Sequence, residues 1–206
     1  MVDELWLDEC NKPTFAAHDG SNQTALGTAL QYISDFSSMR ANGICLYIFG
    51  GMGVGKTFLA WCITRELVFR GQSAKVTTAW NALNYFVWHN WNDEKTEEMK
   101  TCDLLVLDDF RAGSISCEPL CAVKTLKDVL EYRNRVKLPV IITTDERPEI
   151  LYSPPFGLSE LYGLIKHFIP VELTGENKRR QAALKRRSEL EKLLFGDESN
   201  GGEDNA

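Results

Sequence analysis

The sequence predicts an α/β fold, a parallel sheet with helices on both faces, and three features predict it. The apolar run ICLYIF (44–49) leads through the glycine-rich stretch GGMGVGKT (50–57) into a helical segment stopped by Gly71. A second apolar run, LLVL (104–107), ends in two adjacent acids, Asp108 and Asp109. Short strand-like runs alternate with longer helix-like runs along the chain. Such alternation builds a parallel sheet joined by right-handed crossovers.

Each element has its own signal. Apolar residues at helical spacing from Ala25 to Met39 predict an amphipathic helix that ends at the Asn42-Gly43 turn. ICLYIF is apolar throughout, as a strand buried on both faces requires. A helix is expected from Gly55 to Arg70, a strand at 75–78, an aromatic-rich helix from Ala79 to Trp91, and a charged surface segment from Asp93 to Lys100. The strand 104–109 follows, then a helix from about Glu118 to Val136 and the strand PVIITT (139–144). A loop with Pro148, Pro154 and Pro155 leads to a helix near Ser159–Phe168, the strand PVEL (170–173) and a last helix from about Gly175 to Phe195.

Composition bounds the organisation. The 206 residues are 44% hydrophobic and 25% charged, enough for one well-packed domain without disulfides or a structural metal. Three segments are expected: an arm (1–24), a single α/β domain (25–195), and a disordered, acidic, Gly-rich tail (196–206). A net charge of −6 argues against a surface basic all over for duplex DNA, leaving room for a local patch. The six cysteines read as reduced thiols, and Cys117 with Cys121 is a weak zinc signal without a second pair. No stretch reaches the ~20 apolar residues of a membrane span, and the start MVDELWLDEC has no basic region, so a cytoplasmic protein with no membrane partner is expected.

The glycine stretch matches GxxxxGK[ST] at Gly50, Gly55, Lys56 and Thr57. Glycines at this spacing let backbone N–H groups turn toward a polyphosphate at a helix N-terminus. Gly50, Gly51, Met52, Gly53, Val54, Gly55, Lys56, Thr57 and Phe58 are therefore the candidate ATP-binding residues. Lys56 would reach the β- and γ-phosphates, and Thr57 would give its hydroxyl to Mg2+. Asp108 and Asp109 would stand at the C-terminal end of a buried strand, the edge where open α/β sheets bind ligands. Asp108 would hold Mg2+ through a water, and Asp109 would orient or deprotonate the attacking water. In IITTDERP, polar Thr143, Thr144 and Asp145 follow an apolar strand, where one could sit between the γ-phosphate and the water. As a bland alternative, the run is a strand cap.

Taken in order, these motifs resemble the AAA+ ATPases of the bacterial helicase loader DnaC and the transposition helper IstB, with features shared with the initiator DnaA. The resemblance runs from TFAAHDGSNQTALGTALQYI through GGMGVGKTFLAWCITRELVFRG and LLVLDDF to VELTGENKRR. It implies a P-loop NTPase fold of AAA+ type, with Asp108 and Asp109 as the Walker B pair. It also implies sensor 1 at Asp145, with Thr144 the fallback, and sensor 2 at Arg179 within Gly175–Arg179. Two departures stand out. The helix LSELYGLIKHF offers only Lys166 where the family places an arginine finger, leaving Arg133 or Arg135 as substitutes, or slow, partner-stimulated hydrolysis. Only about 24 residues precede the first helix, whereas helicase loaders commonly carry an additional N-terminal domain.

Partner signals are weaker. Trp6 between Leu5 and Leu7 is an anchor for a partner or a cluster packing on its own domain. The last helix is basic, with Lys178, Arg179, Arg180, Lys185, Arg186, Arg187 and Lys192. It could touch single-stranded DNA phosphates, or pack its Leu190, Leu193 and Leu194 side on the domain. WNALNYFVWHNW offers stacking surfaces, although the spacing of Leu83, Phe86 and Val87 favours core packing. The leading expectation is a helicase loader of a phage or mobile element that binds ATP and Mg2+ and self-associates with ATP. The alternatives are an IstB-like helper of a transposase and a P-loop small-molecule or nucleotide kinase, the last lacking an Arg-rich lid between Lys124 and Ile150.

Overall fold

The structure, a computed structural model, describes residues 13–89, 93–153 and 158–195. The Trp6 cluster, Trp91, Pro154, Pro155 and the 196–206 tail lie outside the described residues. Five strands, β1 (Leu46–Gly50), β2 (Ala74–Thr78), β3 (Leu104–Asp108), β4 (Val140–Thr144) and β5 (Ile169–Leu173), form one sheet in the order β2-β3-β4-β1-β5. Every pairing is parallel. The expected fold class is what is found. The register sets Ile48 against Thr143 and Thr78 against Asp108, so the carboxyl ends of β1, β4, β3 and β2 open on one edge.

Helices α1 (Gln23–Ser34), α2 (Phe36–Ala41) and α3 (Lys56–Phe69) are followed by α4 (Ala79–Trp88), α5 (Glu94–Thr101), α6 (Ala112–Ile115) and α7 (Leu120–Arg135). α8 (Ser159–Ile165) and α9 (Lys178–Phe195) complete the chain. Side chains alternate across the sheet with the period of a strand. Leu46, Ile48, Leu104, Val106, Ile141 and Val171 meet the helices α1 and α3 on one face. Tyr47, Phe49, Leu105, Leu107, Val140 and Ile142 meet α4, α7 and α8 on the other. Each aliphatic side chain so buried contributes about 1.5–3 kcal/mol. α3 ends in a Schellman motif: Gly71, at φ 84°, lets the Gln72 N–H reach the Leu67 carbonyl at 3.0 Å.

Several local expectations change. The first helix breaks at Asp35, whose backbone leaves helical geometry at ψ 23°, giving α1 and α2. The charged segment 93–100 is helix α5: Asp93 caps it through the Lys95 N–H, and Met99 is buried in the core that also holds Leu130 of α7. Of the two readings of the last helix, packing of Leu190, Leu193 and Leu194 on the domain does not occur, because all three are exposed.

Arg133 cannot be an arginine finger. Its side chain is 0% exposed, at the end of α7 beneath the amino edge of the sheet. Its guanidinium donates to the carbonyls of Met99, Lys100 and Cys102 at 2.9, 3.2 and 2.9 Å and of Pro139 at 2.6 Å. It ties together the turns that feed β3 and β4. Arg135 and Lys166 are both exposed.

Candidate functional site

β1 ends at Gly50, and α3 begins at Lys56, so the glycine stretch bridges a strand end and a helix start. Gly53 and Gly55 adopt φ of 77° and 108°, which side chains resist. Space is equally restrictive. A Cβ on Gly50 would lie 2.0 Å from the Leu173 carbonyl oxygen, and one on Gly53 would lie 2.1 Å from Asn177 Oδ1. The loop is thus pressed against the chain leading into α9, and the Lys178 N–H donates to the Gly53 carbonyl at 3.1 Å.

Lys56 curls into this loop, its Nζ donating to the Gly50 and Gly51 carbonyls at 2.9 and 2.8 Å. Burial lowers its pKa, and the carboxylates of Asp145 and Asp109 oppose that shift. Thr57, one residue on, donates its hydroxyl to Asp108 Oδ1 at 2.9 Å. Asp108 also accepts from the Thr143 hydroxyl of β4. The Asp109 N–H donates back to Thr143 Oγ1 at 3.0 Å and the Phe110 N–H to the Thr143 carbonyl at 2.8 Å. These bonds hold the turn after β3 to the end of β4, with Asp109 at φ 55°. Asp109 Oδ1 then accepts from Arg111 Nε at 2.8 Å, and the same Nε lies 3.6 Å from Asp145 Oδ1.

A cleft of about 450 Å³ collects most of the residues expected from sequence: Met52, Gly53, Gly55, Lys56, Thr57, Phe58, Asp108, Asp109, Asp145 and Arg179 all line it. Gly50 and Gly51 take part through the carbonyls that meet Lys56. Val54 instead turns its side chain into the core, where it is 2% exposed. Thr144 is a correction. Neighbouring strand residues point to opposite faces, so while Thr143 faces the cleft, Thr144 is 0% exposed and its Oγ1 accepts the Glu146 N–H at 3.1 Å. It does not line the cleft and cannot serve as the fallback sensor.

Sequence reasoning missed Arg111, read Lys178 as part of a basic helix face and not of the cleft, and did not single out Thr143 for Asp108. It also missed His18 and Asp19, which line the cleft from a segment more than thirty residues upstream of the glycine stretch. His18 stands 6.4 Å from Phe58, ring centre to ring centre, and Asp19 pairs with Lys178 at 2.7 Å. No local pattern marks a histidine or acid that only chain folding brings to a loop.

The residues fit a magnesium-bound polyphosphate. Lys56, Lys178, Arg179 and Arg111 supply cations along one cleft, and a helix N-terminus adds its dipole. Thr57 and Asp108 offer hard oxygens to Mg2+, which takes its remaining ligands from phosphate and water. Among the described residues no group of three His, Cys, Asp or Glu could hold a metal, and Cys117 and Cys121 are free and exposed. No described helix is long and apolar enough to cross a membrane.

No protein-family profile matches the chain. It is 27% identical over 183 residues to the replicative helicase loader DnaI of Bacillus subtilis, covering 81% of this chain and 58% of that one. It is 30% identical over 189 residues to the chromosomal replication initiator DnaA of Lactobacillus helveticus, covering 85% of this chain and 38% of that one. The chain thus spans about three fifths of the DnaI relative and under two fifths of the DnaA relative. Among solved structures, AMPPCP-bound DnaA from Aquifex aeolicus superposes with a TM-score of 0.66 at 22% identity, covering 89% of this chain and 57% of that one. The sheet order, the glycine loop and these likenesses agree: the chain has the AAA+-type P-loop fold, and in sequence it is similar to the helicase loader DnaI and the initiator DnaA.

Proposed function

We propose that this chain binds ATP with Mg2+ in the cleft, hydrolyses it, and uses that cycle to help place a replicative helicase on single-stranded DNA. The observation that carries the ATPase reading is the Thr57–Asp108–Thr143 chain of hydrogen bonds beside Lys56 and Asp109. In this reading Lys56 neutralises the β- and γ-phosphates, and Thr57 and Asp108 hold Mg2+. Asp109 orients the attacking water and takes its proton, while Asp145 and Arg179 flank the terminal phosphate. Mg2+ supplies charge neutralisation on the phosphate oxygens.

The helicase partner rests on the likeness to DnaI. A DNA contact is supported by two surfaces. Trp88 is 81% and Trp80 55% exposed on α4, while Tyr85 stacks on His89 at 3.9 Å beneath Lys95. Aromatic faces beside a cation accept unpaired bases. α9 adds exposed Lys185, Arg186 and Arg187 for phosphates. Self-association with ATP and a cytoplasmic setting belong to the same proposal, as does origin from a phage or mobile element.

The test is ATP turnover by the purified chain with and without single-stranded DNA, with Lys56→Ala as the control for contaminating ATPase. Turnover equal in the two proteins would sink the ATPase reading. Capture of a transposase in place of a replicative helicase by the tagged chain would replace the loader with the transposase helper.

A further inference from the structure

The cleft holds an arginine with no assigned role. Arg111 follows the acid pair by two residues, and its backbone is unusually well fixed for a loop. The N–H groups of Asp109 and Phe110 are tied to Thr143, and that of Ala112 donates to Glu146 Oε1 at 2.7 Å. Glu146 in turn accepts from the Tyr162 hydroxyl of α8 at 3.2 Å, and its carbonyl accepts from the Tyr47 hydroxyl at 3.1 Å. The loop is therefore braced by β1, β4 and α8, while the guanidinium itself, 38% exposed, lines the cleft together with Lys56.

Charge shows why a cation is needed there. Asp108, Asp109 and Asp145 all face the space into which a terminal phosphate would come. A divalent cation would offset Asp108, and Lys56 feels the charge of both Asp145 and Asp109, but it is Arg111 that meets them directly, Asp109 at 2.8 Å and Asp145 at 3.6 Å. Without it two carboxylates would repel the phosphate at close range. The guanidinium meets Asp109 Oδ1 through Nε and Nη2, both at 2.8 Å. A planar fork with five N–H donors keeps others for a phosphate oxygen. The usual source of such a guanidinium is narrowed within this chain: α8 carries no arginine and Arg133 is buried among carbonyls, which leaves Arg135, exposed at the end of α7 and stacked over Tyr132.

Resting on the ATP reading above, we infer that Arg111 binds the γ-phosphate from within the same subunit, bridging it to Asp109, so that this chain distinguishes ATP from ADP without a donated arginine. The structure supports this through the shared cleft and the braced loop, and it makes the triphosphate preference a property of one protomer.

The experiment measures binding of fluorescently labelled ATP and ADP, with Mg2+, to the wild-type chain, Arg111→Ala, Arg111→Lys and Lys56→Ala, together with turnover. Arg111→Ala should lose about tenfold in affinity for the triphosphate, as expected for one charge-assisted contact, with ADP affinity unchanged. The unchanged ADP affinity doubles as proof of folding. Arg111→Lys should fall between the two, and mixing Arg111→Ala with Lys56→Ala should restore no turnover. An unaltered ATP-to-ADP preference in Arg111→Ala, a rise in its turnover, or rescue on mixing would each overturn the inference while leaving the ATP site intact. Failure of the wild-type chain to bind either nucleotide would overturn the ATP reading itself.

Discussion

The two edges of one sheet treat arginine in opposite ways. At the carboxyl edge Arg111 is part-exposed and set between carboxylates in an open cleft. At the amino edge Arg133 is fully buried, paired with no acid among the described residues, and surrounded by the backbone carbonyls of Met99, Lys100, Cys102 and Pro139. The difference follows from what each edge must satisfy. Turns entering a buried strand leave carbonyls without partners, and a forked donor satisfies several at once. Turns leaving the strands are open to solvent and can spare their polar groups for a ligand. Side chains at the carboxyl edge should therefore govern chemistry with little effect on stability, and those at the amino edge the reverse.

The largest effect should come from Lys56→Ala, which we expect to lower ATP turnover by at least about a hundredfold while leaving the melting temperature nearly unchanged. A large loss of stability in this variant would break the division between the edges. Asp109→Asn should slow turnover by about a hundredfold with ATP affinity within a few fold, as measured by single-turnover kinetics and nucleotide titration. Retained speed would move water activation away from Asp109.

At the other edge, Arg133→Met should cost about 2–4 kcal/mol in denaturant unfolding, because several buried carbonyls lose their donor, while turnover per folded molecule stays at the wild-type value. A smaller contrast is available within one strand. Thr143→Val should raise the Mg2+ concentration needed for half-maximal turnover several fold, having lost a bond of about 1 kcal/mol to Asp108. Thr144→Val should leave that requirement alone and register only in stability. Equal Mg2+ dependence in both would show that the face of β4 does not matter.

The mildest probe is thiol labelling near neutral pH. Burial pushes the Cys45 thiol up to about 11 and raises that of Cys102, so both stay protonated and slow to alkylate, whereas exposed Cys117 and Cys121 react first. In Arg133→Met the Cys102 thiol, which lies 3.4 Å from Arg133 Nη1, should become faster to label. Unchanged protection, read by peptide mass spectrometry, would separate Arg133 from the packing of that edge.

Much of the cleft was legible because its chemistry depends on residues adjacent in sequence. Gly50 to Thr57 is a local backbone conformation, and Asp108 and Asp109 end an apolar run whose edge placement follows from strand order. Helix α5 was not legible, since its charged residues outweigh the three it buries, Thr96, Met99 and Lys100, of which only Met99 is apolar. Nor could two arginines spaced two apart in EYRNR be told apart. Arg133 is buried and Arg135 stacks over Tyr132 only because of the face of α7 each occupies.

By itself the sequence determined the parallel α/β architecture, the glycine loop between strand and helix, and the acid pair at a strand end, because apolar periodicity and glycine conformation act over a few residues. Tertiary structure alone decided that Thr143 rather than Thr144 faces Asp108, that Arg133 serves the core, and that His18, Asp19 and Arg111 join the cleft. Those outcomes depend on which face of a strand or helix is covered and on which distant segment covers it, and burial of that kind is set only when the layers pack.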